Sequence, residues 1–145
     1  MSRKTSVPSP LVALAGWVLP GSGYWLMGAR SRGLTIGITV LILYVLGLWI
    51  GGIRIVEAPE FSDPSRNFLG HLLEKPWFLG QVLAGPLGLV PMWIADANDP
   101  VSHARVNDIG TLYTAVAGML NLMAIIDSAY KAAHPPRPAP AAEAA

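Results

Sequence analysis

The sequence predicts an all-α membrane protein, a small polytopic bundle of three to four transmembrane helices plus a short interfacial helix. Hydrophobic residues make up 52% of the 145 positions and charged residues only 13%, about half the charged share of a typical soluble domain. The charges cluster at the termini and in three short segments, and long uncharged runs separate these clusters. No stretch shows the apolar–polar alternation of a half-buried strand.

The first apolar segment, residues 10–28, begins at a Ser-Pro pair, which is typical of a helix start because serine caps free N–H groups and proline suits the first turn. Pro20, Gly21 and Gly23 interrupt this segment. Three interpretations are open: a signal peptide, a bent spanning helix, or a half-span that turns back at the break. The last two need neighbouring helices, because broken backbone at membrane depth is tolerated only against protein or a wet cavity.

Residues 33–53 form the clearest predicted span, since 21 uncharged residues at ~1.5 Å rise per residue would cross a bilayer core. The polar segment that follows contains an amphipathic stretch near residues 62–75. This stretch predicts either a helix lying at the membrane interface or an ordered loop. Residues 76–95 are again uncharged and carry Pro86 and Pro91, which predict a kink in that helix.

The last uncharged run, residues 109–126, completes a transmembrane domain that we place at residues 10–130. A polar N-terminal segment, residues 1–9, precedes this domain. Residues 131–145 are rich in proline and alanine and have few apolar anchors, so the sequence predicts a disordered tail.

The distribution of basic residues bears on topology. If residues 10–28 span, seven Lys and Arg lie on the side of the termini and three on the other, which favours cytoplasmic termini. If the same residues form a hairpin before three spans, the count is five against five. A net charge of +1 without a basic stripe gives no indication of nucleic acid as a partner. The absence of cysteine excludes disulfides, thiol catalysis and thiolate metal sites.

Small residues at helical spacing predict where helices pack in lipid, because glycines four apart let two backbones approach closely. The amide of Asn121, deep in the last span, predicts an interhelical hydrogen bond or a polar residue lining a path, and so does Gln81. The candidate packing residues are Gly33, Gly37, Gly47, Gly51, Gly110, Thr114, Gly118 and Asn121. The candidate helix breaks are Pro20, Gly21, Gly23, Pro86 and Pro91.

The sequence contains few side chains that could bind a metal ion or act in catalysis. The second polar loop holds four side chains of types that bind divalent cations, namely Asp96, Asp99, His103 and Asp108. A turn and a helix cap explain most of them, so we predict no metal site. Ser22 lies between two glycines, but a nucleophile elbow needs glycine where Pro20 stands. We therefore predict neither catalytic residues nor a cofactor, and we expect that the protein is not an enzyme.

Two sequence blocks carry a resemblance to known families. Leu19–Gly33, LPGSGYWLMGARSRG, resembles the start of the small TM-two membrane domains. Together with Asp108–Leu122, DIGTLYTAVAGMLNL, and the Ile126–Asp127 pair, it resembles an uncharacterised bacterial membrane-protein family, domain of unknown function number 6677. The resemblance implies a multi-pass protein of the bacterial inner membrane. It brings no known activity, so no functional residue is carried over.

These observations predict a non-enzymatic protein that works within the lipid bilayer by packing against other membrane helices, as an accessory subunit or a homo-oligomer. The glycine stripes and Asn121 would be its contact surfaces. The alternative is a component of a small-solute carrier or channel, which would show a continuous polar path past Gln81 or Asn121. An intramembrane enzyme is the third possibility.

Overall fold

The computed structural model describes residues 7–56, 67, 70–71, 73, 75–95 and 104–135. This part of the chain is helical and contains no strand. In chain order the helices are α1 (Ser9–Val18), α2 (Ser22–Leu26), α3 (Arg30–Gly51), α4 (Pro76–Leu83), α5 (Val90–Ile94) and α6 (Ala104–Ala133). Two 3₁₀ turns, Ile53–Ile55 and Pro86–Gly88, complete the described elements. The predicted interfacial helix lies mostly outside the described residues, and the first three residues of the predicted tail, Lys131 to Ala133, belong to α6 instead.

Helices α3 and α6 are the two described helices that are long and apolar enough to cross a membrane. Their most apolar windows have mean hydropathies of 2.3 and 1.7, and only 22% and 39% of the residues in those windows are buried. The core helix of a soluble protein would be mostly buried, whereas most residues in these two windows are not buried. The structure therefore has two such helices where the sequence predicts three to four spans.

The first apolar segment turns back on itself. Gly21, which has φ 83°, lets the chain reverse after α1 because glycine adopts this left-handed conformation without strain. The returning α2 lies against α1, since a Cβ built on Gly23 would be 3.0 Å from the carbonyl oxygen of Val12. Ser22 Oγ donates to the carbonyl of Ala15 at 2.5 Å across the same hairpin. Of the three interpretations of residues 10–28, the structure has the third.

The segment from α4 to α5 is a second hairpin rather than a kinked span. Its chain reverses at Gly85, which has φ 88°, and continues through the 3₁₀ turn that begins at Pro86. Both arms return to the same place: Phe78 of α4 is buried in one cluster with Ile55 and Val56, and Met92 of α5 packs against that cluster. Residues 76–95 therefore enter and leave at one end of the bundle, because two prolines remove the backbone donors that a continuous helix would need.

The two hairpins enter from opposite ends and meet along α6. Trp17 at the tip of the first hairpin donates its Nε1–H to the carbonyl of Val82 at 3.1 Å. A Cβ on Gly85 of the second hairpin would clash with the carbonyl oxygen of Trp17, so the two tips are in close backbone contact. Helices α1 and α4 therefore run towards each other with their C-terminal ends adjacent, and both pack on α6.

Helices α3 and α6 run antiparallel, and they cross where glycines let the two backbones approach closely. A Cβ on Gly47 would lie 2.8 Å from the carbonyl oxygen of Gly110 and 2.7 Å from the Thr114 methyl carbon. A Cβ on Gly51 would lie 3.0 Å from the Cα of Gly110. Near the other end of α3, a Cβ on Gly37 would lie 2.6 Å from the carbonyl oxygen of Pro20, in the turn of the first hairpin. Small residues thus set the spacing of the bundle, as expected where close backbone packing drives helix association.

We predict that Gly47→Leu destabilises the bundle by about 1–3 kcal/mol, because the added side chain meets backbone atoms of α6 that cannot move aside. The measurement is thermal unfolding in mild detergent, followed by far-UV circular dichroism. The control is Val45→Leu on the exposed face of the same helix, which we expect to change stability by less than about 0.5 kcal/mol. Equal losses in the two variants would show that this crossing does not depend on glycine.

Candidate functional site

The centre of the bundle is organised by Asn121 of α6, whose side chain is 0% exposed. Its Nδ2 donates to the carbonyl of Gly16 at 3.2 Å and to the carbonyl of Leu83 at 2.9 Å. Gly16 belongs to the first hairpin and Leu83 to the second. One amide group therefore ties both hairpins to the helix on which they pack.

The two carbonyls that Asn121 binds lie at helix ends, where the last C=O groups have no partner within the helix. Four residues after Gly16 the chain has Pro20, which lacks an N–H. Leu83 is the last residue of α4. Val82 precedes Pro86 by four residues in the same way, and its carbonyl accepts from the N–H of Gly85 at 3.1 Å and from Trp17 of the other hairpin. Side-chain donors from neighbouring elements thus replace the missing backbone donors at Gly16 and Leu83 and add a second donor at Val82.

A second buried polar contact lies between α4, α6 and the 3₁₀ turn after α3. Gln81 Nε2 donates to the carbonyl of Ile55 at 3.1 Å and to Thr114 Oγ1 at 2.9 Å. The Thr114 hydroxyl lies 3.2 Å from the carbonyl of Gly110 and 3.0 Å from that of Thr111, so its proton stays on its own helix. This contact fixes the base of the second hairpin against α6.

Both buried amides are closed off from the surroundings. Gln81 and Asn121 are each 0% exposed, and their amide oxygens accept no hydrogen bond from the described part of the chain. Helices of this chain surround each amide on the sides where its nitrogen bonds. Neither side chain therefore reaches the surface of the bundle.

At the opposite end from Ile55, three polar side chains lie at the edge of the bundle. The Tyr24 hydroxyl donates to Asp127 Oδ2, and Lys131 Nζ lies 2.5 Å from the same oxygen. The ammonium group of Lys131 is also 5.6 Å from the centre of the Tyr24 ring. Asp127 and Lys131 are about half-exposed. This group, which we call the edge cluster, links α2 to the end of α6.

The structure places the predicted packing residues inside the chain's own interfaces. A Cβ on Gly33 would lie 2.6 Å from the carbonyl oxygen of Gly21, and a Cβ on Gly118 would meet the carbonyl of Gly80. Every predicted packing residue therefore has a contact within the chain. The contacts of the other six were given above, namely Gly37, Gly47, Gly51, Gly110, Thr114 and Asn121. The structure places these residues in contacts between elements of this chain, and whether a partner helix also contacts them stays a prediction.

The predicted helix breaks lie in the two hairpins. Pro20, Gly21 and Gly23 belong to the first reversal and Pro86 to the second, whereas Pro91 lies buried in α5. Of the four side chains considered for a cation, Asp108 is exposed on α6 and the other three lie outside the described residues. Within the described residues no three His, Cys, Asp or Glu side chains form a group that could hold a metal ion.

Sequence reasoning missed the aromatic side chains that satisfy broken backbone. Tyr44 is buried in α3 and donates its hydroxyl proton to the carbonyl of Gly88 at 3.0 Å. Trp17 gives the carbonyl of Val82 a second donor beside the N–H of Gly85, and Tyr24 binds the side chain of Asp127. The sequence does indicate such contacts, because the polar atom of a Tyr or Trp within an apolar run needs a hydrogen-bond partner when it is buried.

The fold and these contacts define a small all-helical protein with two helices long and apolar enough to cross a membrane. The model of the Family of unknown function (DUF6677) matches residues 11–139. The chain belongs to this family, which confirms the family predicted from the two sequence blocks. Comparison with curated proteins and with solved structures gives no match.

We predict that Asn121→Leu lowers the stability of the bundle by about 1–3 kcal/mol, since two buried carbonyls then lack donors. Unfolding in mild detergent, measured by far-UV circular dichroism, gives the difference. Met123→Leu is the matched control, because Met123 is two residues away on the exposed face of α6. An Asn121→Leu protein as stable as the control would contradict the assigned role of the amide.

Proposed function

We propose that this chain is a non-enzymatic, multi-pass protein of the bacterial inner membrane that acts through its outer surface, as a homo-oligomer or an accessory subunit. The observation that carries the proposal is the closed polar interior. The fully buried side chains Gln81, Thr114 and Asn121 all donate their hydrogen bonds within the bundle. The outer faces of α3 and α6 are the surfaces left for other molecules, and they are apolar.

The proposed topology has two complete spans, α3 and α6, and two hairpins that enter from opposite sides. Hairpins with irregular backbone are compatible with a bilayer here because protein surrounds their tips. Trp49 at the end of α3 and Trp93 in α5 are 83% and 82% exposed, and both occupy the end of the bundle that contains Ile55. Exposed tryptophan is typical of the membrane–water interface, which supports this placement.

Charge supports one orientation. With two spans, sequence order assigns six of the ten basic residues to the side of both termini, namely Arg3, Lys4, Arg30, Arg32, Lys131 and Arg137. Of the nine acidic residues only Asp127 and Glu143 share that side, so the other seven lie opposite. Basic residues concentrate in cytoplasmic loops. The proposed orientation therefore has cytoplasmic termini.

A carrier or channel component is the second candidate, and one observation favours it. The C-terminal ends of α1 and α4 meet at Asn121, in the middle of the bundle. Discontinuous helices of this kind hold substrates and ions near the midplane of many transporters. We rank this candidate second because both buried amides are sealed within the chain.

We predict that Ser31→Cys and Ser102→Cys label from opposite sides of the membrane in this naturally cysteine-free chain. Ser31 is exposed at the start of α3, and Ser102 precedes α6 in the sequence. A membrane-impermeant maleimide added to intact cells should reach only Ser102→Cys, and permeabilised cells should show both. Labelling of the two positions from one side would contradict the two-span topology.

We predict that Ile42→Cys, on the exposed face of α3, forms a cross-linked adduct in the membrane with a second copy or a partner protein. A short bis-maleimide tests contact with an engineered cysteine, and a photoactivatable maleimide tests contact with any neighbour. Val40→Cys is the control, because Val40 is 2% exposed and packs inside the bundle. Absence of adducts at Ile42→Cys and at further exposed positions of α3 and α6, together with a monomeric mass in mild detergent, would contradict the proposal.

A further inference from the structure

A groove of about 330 Å³ lies on the outside of the bundle between α3 and α6. Tyr24 and Asp127 of the edge cluster close one end of it. Its walls are apolar side chains of both helices, namely Ile36, Val40, Leu120, Met123 and Ala124. The groove therefore joins a polar edge to an apolar trough.

Two threonines also line the groove, but their hydroxyl groups are already used. Thr35 Oγ1 donates to the carbonyl of Ser31 at 3.0 Å, and Thr39 Oγ1 donates to the carbonyl of Thr35 at 2.8 Å. Hydroxyls bonded to their own helix in this way have no free proton to donate to a ligand. The trough thus suits hydrocarbon better than a polar solute.

The groove has the direction and depth of a lipid chain. Leu120 and Asp127 are seven residues apart on α6, and at ~1.5 Å rise per residue the groove extends about 10 Å from the edge cluster. In the proposed topology it starts at the headgroup level and runs parallel to α6 into the hydrocarbon region. An acyl chain of a surrounding lipid has this same orientation.

The charge at the polar end selects the headgroup. The carboxylate of Asp127 is paired with Lys131. Arg30 and Arg32 are exposed at the start of α3, and within the described part of the chain neither forms an ion pair with a carboxylate. Arg32 lies one helical turn before Ile36 on the same face of α3, at the polar end of the groove. The end of the groove thus has an excess of positive charge, which attracts anionic lipid.

We propose that the groove between α3 and α6 is a binding site for an anionic phospholipid. Its acyl chain lies between Ile36 and Leu120, Arg32 contacts its phosphate, and Arg30, two residues away at the same end of α3, adds positive charge. The site rests on the proposed placement of the chain in a membrane. Because the edge cluster fixes α2 against the end of α6, the polar end of the site is formed before a lipid arrives.

The test is a lipid titration of the purified protein in mild nonionic detergent, with bound lipid counted by native mass spectrometry. Phosphatidylglycerol should bind more tightly than phosphatidylcholine with the same acyl chains. Arg30→Gln and Arg32→Gln should each weaken phosphatidylglycerol binding roughly fivefold. Thr39→Trp should weaken the binding of phosphatidylglycerol by filling the trough without changing its charge. Arg105→Gln, an exposed arginine at the opposite end of the bundle, should leave the affinity unchanged.

Far-UV circular dichroism and gel filtration establish that each variant is folded. Equal binding of the two lipids, or an unchanged affinity in the double variant Arg30→Gln/Arg32→Gln, would overturn the site. Full binding by Thr39→Trp would overturn the acyl-chain assignment, and so would displacement of the lipid by millimolar inorganic phosphate alone. A protein that fractionates with the aqueous phase of the cell would instead contradict the proposed membrane location.

Discussion

The structure depends on satisfying broken backbone in the interior of the bundle. Pro20 and Pro86 end two helices well inside it, and their missing N–H groups leave carbonyls that need other donors. Asn121 binds one carbonyl at each of these helix ends, that of Gly16, four residues before Pro20, and that of Leu83, the last residue of α4. A buried carbonyl that is left without a donor is costly, so the hydrogen bonds from Asn121 stabilise both hairpins against α6.

The same constraint explains why aromatic and amide side chains sit where they do. Trp17, Tyr44 and Gln81 each donate to a backbone carbonyl of a different element. Each bond joins segments that are far apart in the sequence. Glycines make this possible, because Gly47 and Gly110 bring α3 and α6 close enough for the hairpins to reach across. The hydrogen bonds of the buried polar groups and the close packing of the helices therefore support each other.

The contacts inside the bundle limit which surfaces are free to bind other molecules. The small-residue faces and the buried amides are engaged within the chain, so contacts with other molecules fall to the outer surface. That surface is apolar along α3 and α6 and polar at the edge cluster of Tyr24, Asp127 and Lys131. The proposed lipid site lies where these two kinds of surface meet. It uses Asp127, which the sequence marks only as the end of an uncharged run.

The sequence by itself determined the helical class, the family, the clearest long apolar helix, and the places where the chain breaks. Those features are local, because hydropathy, Pro and Gly act through the residue's own backbone and solvent. The sequence also singled out Asn121 and the glycine stripes, since buried amides and small residues need close neighbours. It did not decide which neighbours they have. Only the tertiary structure decided that residues 10–28 and 76–95 turn back and meet at Asn121, because reversal requires donors and backbone surfaces from elements distant in sequence.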